Sequence, residues 1–289
     1  MHKQMILVTG GAGFVGSNLC ERLAEDENND VYSLDNYFTG STSNHVSNVT
    51  YIKGSTVNIS TLITFKPDMI YHLGEYSRVE QSFDDLDKVL EYNKVGTISV
   101  LEFVRQVGCK ILYAGSSTKF GDEGENANAS PYSWSKSSNT QLVKNYGEWF
   151  GIDYVITYFY NVYGNREIQT GKYATLIALF KEKMKNNETL TIVSPGIQKR
   201  NFTHIDDTID ALILIAKDGH GDEYGIGNPQ AYTILEIAQM YKGKIVMLPK
   251  RKGNRLVASV VSSKTEALGW KPVRTIKEYI QECRKNDWK

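Results

Sequence analysis

The stretch Met5 to Gly16, MILVTGGAGFVG, constrains the fold of this chain more than any other. Met5-Ile6-Leu7-Val8 is a short apolar run, partly β-branched, and reads as a buried parallel strand. Gly10, Gly13 and Gly16 follow at three-residue spacing, and an amphipathic helix is expected from Phe14 to Glu25. Strand, glycine turn and helix, in that order, are what a dinucleotide-binding turn requires. Gly10 permits the tight turn, Gly13 lets backbone approach a pyrophosphate, and Gly16 lets the helix lie close to the strand. Phe14 and Val15, between the last two glycines, belong to the same contact. Free N–H groups and a partial positive charge at the helix start favour phosphate there. Glycines at this spacing also occur in ordinary strand–helix turns, so the next strand must be read with them.

That strand is Val31-Tyr32-Ser33-Leu34, closed by Asp35. The acid lies about twenty residues beyond the glycines, where a carboxylate can bind both hydroxyls of an adenosine ribose. Such a carboxylate repels a 2′-phosphate, so NAD is expected rather than NADP. Further strands are expected at Val49 to Lys53, Met69 to Leu73 and Lys110 to Tyr113, and Asp84 to Gln106 has helical periodicity. Alternating strands and helices imply an α/β fold with a doubly wound parallel sheet.

Composition closes off other classes. Lys plus Arg equals Asp plus Glu at 33 each, which gives no pull toward nucleic acid or a membrane surface. No apolar run approaches the length of a transmembrane helix, and the chain enters a core strand with no signal peptide ahead of it. The three cysteines, Cys20, Cys109 and Cys283, and the five histidines lack metal-ligand spacing. No metal is expected, and free thiols point to the cytoplasm.

The chemistry lies further on. Ala114-Gly115-Ser116-Ser117-Thr118 ends the fifth strand, where open α/β sheets bind ligands. Tyr132 and Lys136 follow in PYSWSK, with Ser130 as a helix cap, Pro131 in the first turn and the helix continuing to about Phe150. One turn apart, their side chains share a face. A free phenol, with a reference pKa near 10, is a poor base at neutral pH, and a neighbouring ammonium favours its ionised form. With the Ser116 hydroxyl, Tyr132 can hold a substrate alcohol and take its proton while hydride leaves the carbon. Alone, Tyr and Lys at this spacing are an ordinary surface pair. Behind a dinucleotide turn and a strand-end serine they are catalytic candidates.

With these residues in view the chain resembles the extended short-chain dehydrogenase/reductases, in the NAD-dependent nucleotide-sugar epimerase/dehydratase branch typified by UDP-glucose 4-epimerase. VTGGAGFVG, LDNYFTG, YHLG, EYNKVGT, AGSSTKFGD, PYSWSK, YFYNVYG, RNFTHIDD, PKRKGN and LGWKP carry the resemblance over nearly the whole chain. It implies a Rossmann-type sheet over residues 1–160, joined again by 201–227. A smaller nucleotide-sugar-binding domain would comprise 161–200 and 228–289. It implies bound NAD, a nucleoside-diphosphate sugar oxidised transiently at C4, and a homodimer through helices near 84–106 and 132–150. Tyr132 would be the base, Lys136 its activator and ribose anchor, and Ser116 the second hydroxyl contact. Asp35 and Asn36 would hold the adenosine ribose. Thr39, Gly40, Ser55, Thr56, Leu73, Gly74 and Phe159 would line the cofactor, and Asn93 would support the lysine. Asn161, Arg200 and Arg251 would hold the diphosphate, where guanidinium forks match phosphate oxygens.

The pair after Ser116 separates the reactions within this branch. The 4,6-dehydratases carry Asp-Glu there, and the decarboxylases a glutamate at the second position. This chain has Ser117 and Thr118, neither a usable acid or base near pH 7. A threonine at this place resembles the 4-epimerases, so Thr118 joins the catalytic set. Net dehydrogenation or ketosugar reduction at C4 is the alternative on the same residues. A non-catalytic dinucleotide sensor, a further reading, commonly lacks the Tyr or the Lys. Glu75 and Arg78 stand where small or neutral residues are common, and one of them is expected to read a sugar substituent. Ser55, Pro195 and Asn254 each replace an acid that the branch commonly has, and the segment from Gly121 to Pro131 is short for it. Further along, Asn201 to Ile205 and Asp222 to Gly227 read as strands returning to the first domain, and Asp206 to Asp218 as a helix capped by the Asp pair.

Overall fold

A computed structural model of the chain describes residues 3–117, 127–249 and 260–288. Thr118 and Arg251 therefore lie outside the described residues.

The apolar runs become the centre of a seven-stranded sheet. Its strands are β1 (Gln4–Thr9), β2 (Asn29–Asp35), β3 (Val49–Lys53), β4 (Met69–His72), β5 (Lys110–Ser116), β6 (Tyr154–Phe159) and β7 (Gly221–Ile226). They lie in the order β7-β6-β5-β4-β1-β2-β3, and every pairing is parallel. The chain winds outward from β1 to β3, then crosses back to place β4 on the other side of β1. The carboxyl ends of β1 and β4 thus flank the point where the winding reverses, and a crevice opens there.

Both faces of the sheet are covered, which is why its strands are apolar runs and not alternating ones. Ile6 and Val8 face a core with Leu19 and Leu23 of α1 (Phe14–Ala24). Leu7, one residue out of phase, faces the opposite core with Val100 and Val104 of α2 (Gly96–Val107) and Val143 of α3 (Pro131–Phe150). A further helix, α4 (Ile205–Asp218), adds Ile209, Leu212 and Ile215 to the first core. A third cluster, with Tyr163, Phe180, Ile192, Phe202, Tyr241 and Ile280, lies among residues that follow β6. Among the described residues no helix is long and apolar enough to cross a membrane.

Three local expectations are corrected. The helical run over 84–106 is not uniform: residues Val89–Val95 form a π-helical turn before α2 begins. That wide turn carries Asn93 on its buried side. Residues 201–205, expected as one strand returning to the main sheet, split instead. Lys199–Asn201 pairs antiparallel with Ala231–Thr233, and Thr203–His204 pairs parallel with Val162–Tyr163. What returns to the sheet is α4 followed by β7. Finally, α4 is capped by His204, whose Nδ1 accepts the Asp206 N–H at 3.2 Å, and not by the Asp pair.

Asp207, released from capping, does something else. It is 1% exposed and accepts the N–H groups of Val273 (3.1 Å) and Arg274 (2.9 Å) and the Arg274 guanidinium (2.7 Å). Trp270 donates its indole N–H to the Asp207 carbonyl at 2.8 Å. The segment 270–274 is therefore fastened to the start of α4 through one residue, by its carboxylate and its carbonyl. Asp207→Ala leaves these donors unmet and is expected to destabilise the fold by about 2–4 kcal/mol, read as a lower midpoint in urea denaturation.

Candidate active site

The crevice at the switch point is a cleft of about 950 Å³. Its floor begins at the glycine turn. Gly10 has φ +74°, a left-handed conformation, and donates its N–H to the Leu34 carbonyl at 2.8 Å. A Cβ on Gly16 would stand 2.1 Å from the Gly10 carbonyl oxygen, so the helix can approach the turn only without a side chain. Gly13 caps α1 with extended backbone and brings no side chain to its first N–H groups. The start of α1 thus has the form that receives phosphate.

Asp35 ends β2 beside this turn. One carboxylate oxygen accepts the Ala12 N–H (2.9 Å) and the other the Tyr37 N–H (2.7 Å). Burial nevertheless raises its carboxyl above the usual range, against these two hydrogen bonds. Added donors such as ribose hydroxyls would favour the charged form further.

The cleft brings together most of the residues singled out from the sequence. Gly10, Gly13, Phe14, Val15, Gly16, Asp35, Asn36, Thr39, Gly40, Thr56, Leu73, Gly74 and Phe159 line one part of it. Glu75, Arg78, Ser116, Tyr132, Lys136, Asn161 and Arg200 line it as well. Ser55 and Asn93 are not among its lining residues. Ser55 caps a short 3-10 turn, accepting the Val57 N–H at 3.3 Å. Asn93 stands behind the wall and braces it. It accepts the Tyr76 N–H at 2.6 Å and donates to the Tyr76 carbonyl at 3.1 Å and to Ser135 Oγ at 2.9 Å.

The candidate base and its lysine sit in the first turns of α3. Ser130 caps the helix by accepting the Ser133 N–H at 3.0 Å, and Pro131 follows it. Tyr132 is held in a small aromatic cluster with Tyr76, Phe38, Tyr92 and Tyr173. The Lys136 ammonium donates to the Ala114 carbonyl at the end of β5 and to the Glu75 carboxylate.

Glu75 does not stand free in the cleft wall. Its side chain is 1% exposed and engaged by Lys136, by Thr97 (2.9 Å), by Asn139 (3.0 Å) and by the Tyr113 hydroxyl (3.2 Å). Arg78 keeps its guanidinium at the cleft wall, held by Nε (2.9 Å) and Nη2 (2.7 Å) on the Tyr173 carbonyl. Asn161 donates to the Asn201 carbonyl at 2.8 Å, which joins its segment to the strand that bears Arg200.

Sequence reasoning missed Glu167. It lines the cleft while accepting the Gly164 N–H (2.9 Å) and the Thr175 hydroxyl (2.6 Å). Burial, only partly offset by these bonds, pushes its carboxyl up to about 7. No motif or spacing marks it, because its burial depends on how residues 164–175 fold around it. The native state thus holds this proton to higher pH than the unfolded chain does. Stability present at acid pH is lost as pH rises through about 7. Glu167→Gln lacks that titration, so its Tm should gain on the native protein's between pH 5 and pH 8, as scanning calorimetry at both ends would show.

A family model described as the NAD dependent epimerase/dehydratase family matches residues 6–227. The chain is 31% identical over 297 residues to a putative UDP-glucose 4-epimerase of Methanocaldococcus jannaschii, covering 96% of both. It is 30% identical to UDP-glucuronic acid decarboxylase 3 of Arabidopsis thaliana, over 94% of this chain and 86% of that one. Among solved structures, it matches UDP-glucuronic acid 4-epimerase of Bacillus cereus in complex with UDP-glucuronic acid and NAD. There the TM-score is 0.87 and the identity 26%, over 96% of this chain and 97% of that one.

Proposed function

The chain belongs to the NAD-dependent epimerase/dehydratase family, and within it we propose that it is a nucleotide-sugar 4-epimerase. The observation that carries this reading is the composition of the reacting end of the cleft. Ser116, Tyr132 and Lys136 all line the cleft, and Ser116 is followed by Ser117 and Thr118, not by carboxylates. Removing a C5 proton and expelling the C6 hydroxyl needs an acid and a base at those places. Seryl and threonyl hydroxyls do not supply them near pH 7. Relatives at about 30% identity include both epimerases and decarboxylases, so the choice rests on these residues.

The cofactor site fits NAD. The left-handed Gly10, the close approach at Gly16 and the Asp35 carboxylate suit a pyrophosphate and an unphosphorylated ribose. NAD, when bound, accepts a hydride from C4 of the sugar and gives it back. Tyr132 takes the C4 hydroxyl proton, Ser116 holds that hydroxyl, and Lys136 favours the phenolate. Asn161 and Arg200, with Arg251 from outside the described residues, hold the nucleoside diphosphate. The ketosugar then turns within the cleft so that the opposite face of C4 meets the returning hydride, and Tyr132 gives its proton back to the C4 oxygen. Net dehydrogenation or ketosugar reduction at C4, on the same three residues, is the rival reading.

Tyr132→Phe should lower turnover of a nucleotide-sugar panel by at least about 100-fold while leaving bound NAD in place. Native protein should epimerise its sugar with no added NAD and no build-up of NADH. Turnover that requires added cofactor would instead favour the dehydrogenase reading, and an active Tyr132→Phe would remove the base assigned here.

We also propose a homodimer. Phe83, Leu86, Leu90, Val95 and Ile98 are exposed around the π-helical turn and the start of α2, and Trp149 and Phe150 at the end of α3. An exposed apolar set of this size is an association surface in a protein of even charge balance. Leu90→Asp combined with Ile98→Asp should convert the dimer to monomer in sedimentation velocity; an unchanged coefficient would place the interface elsewhere. The three buried thiols, none of them in a disulfide, fit the cytoplasm.

A further inference from the structure

Lys136 is 5% exposed, and Glu75 is the carboxylate that meets its ammonium. A buried ion pair beside a phenolic base changes what that base feels. We propose that Glu75 is a positioning residue for the reaction: it anchors Lys136 and, as its counter-charge, limits how much of the ammonium's field reaches Tyr132. The inference rests on the reading of Tyr132 as acid and base.

The carboxylate is itself fixed by a directed chain of hydrogen bonds. Thr9 Oγ1, at the end of β1, accepts the N–H groups of Leu73 (3.2 Å) and Gly74 (3.0 Å). Its own proton is thereby turned toward His72 Nδ1 at 2.8 Å. This assigns the remaining imidazole proton to Nε2, which faces Thr97 Oγ1 at 3.0 Å. Thr97 in turn donates to Glu75 Oε1 at 2.9 Å. Burial, opposed by the Glu75 charge, holds His72 down at about 4, so the ring is neutral in the working range. The chain therefore carries orientation, not charge, from the residue before the glycine turn to the anchor of Lys136.

The other groups facing the pair do not replace Glu75. Tyr113 from β5 lies with its ring 5.0 Å from the ammonium and, buried, keeps its proton to donate to Glu75. Lys94, from the π-helical turn, donates to Asn139 Oδ1 at 2.8 Å and to Ser138 Oγ at 3.0 Å. Arg78, from the loop after β4, adds a second positive charge near Tyr132. With two further cations near the site, Glu75 supplies the negative charge that offsets them. Burial opposes its ionisation, but the Lys136 charge and the hydrogen bonds from Lys136 and Thr97 hold it below the usual range.

Glu75→Gln keeps the shape and an acceptor and removes the charge. The unscreened ammonium then favours the phenolate, and the acid limb of the kcat/KM profile should move to lower pH by about one unit. Bound NAD should be unchanged. A purely structural role lowers activity without moving the limb. A downward shift under about half a unit, or an upward one, overturns the proposal. If Glu75→Gln does not accumulate as folded protein, the intact NAD-loaded protein answers the question. The 13Cδ glutamate resonance missing from Glu75→Asp should be that of a carboxylate at pH 6; a carboxylic acid there overturns the proposal. Failure of the parent reading shows separately, as full activity in Tyr132→Phe.

Discussion

Holding a lysine ammonium nearly out of water is costly, by several kcal/mol for an unmet charge, and much of the wall around the cleft is arranged to meet it. Lys136 comes from α3, its carbonyl partner Ala114 from β5, and its carboxylate from the loop after β4. That carboxylate is held in turn from α2, α3 and β5. Elements far apart in the chain are thus fixed relative to one another at the point where the sheet reverses its winding.

The cofactor side and the substrate side differ in how they are encoded. The first is local. A strand, a turn with one left-handed glycine and one glycine in contact with backbone, and a helix start are specified within Met5 to Gly16. Asp35 needs only the adjacent strand to reach the same turn. Most of this was legible from spacing, because each requirement is steric and falls on a short stretch. The cap and first turns of α3 were legible for the same reason.

The rest depends on pairings that no local pattern reveals. Glu75 and Lys136 are 61 residues apart, so the sequence left Glu75 only as a candidate reader of the sugar. Asp207 read as a cap because acids crowd the start of α4, yet it is occupied by residues 66 and 67 positions later. With Asp207 taken, His204 fills the cap. Residues 201–205 have strand composition, but which partner such a short piece finds depends on tertiary packing. Here it divides between two small sheets. Glu167 was invisible because an acid at a loop position gives no sign that it will be covered.

This division explains why fold and cofactor follow from family membership while the reaction does not. NAD binding requires a turn geometry that tolerates few residues, so it persists across relatives of differing chemistry. On the reading proposed above, the reaction is set by the one or two residues that follow Ser116 in the sequence. Exchanging a carboxylate for a hydroxyl there changes which proton can be moved and leaves the sheet intact. Ser117 and Thr118 therefore carry more information about the chemistry than the overall identity to any one relative. By the same logic, the role proposed for Glu75, a charge placed behind the lysine, would tune the base without touching the substrate.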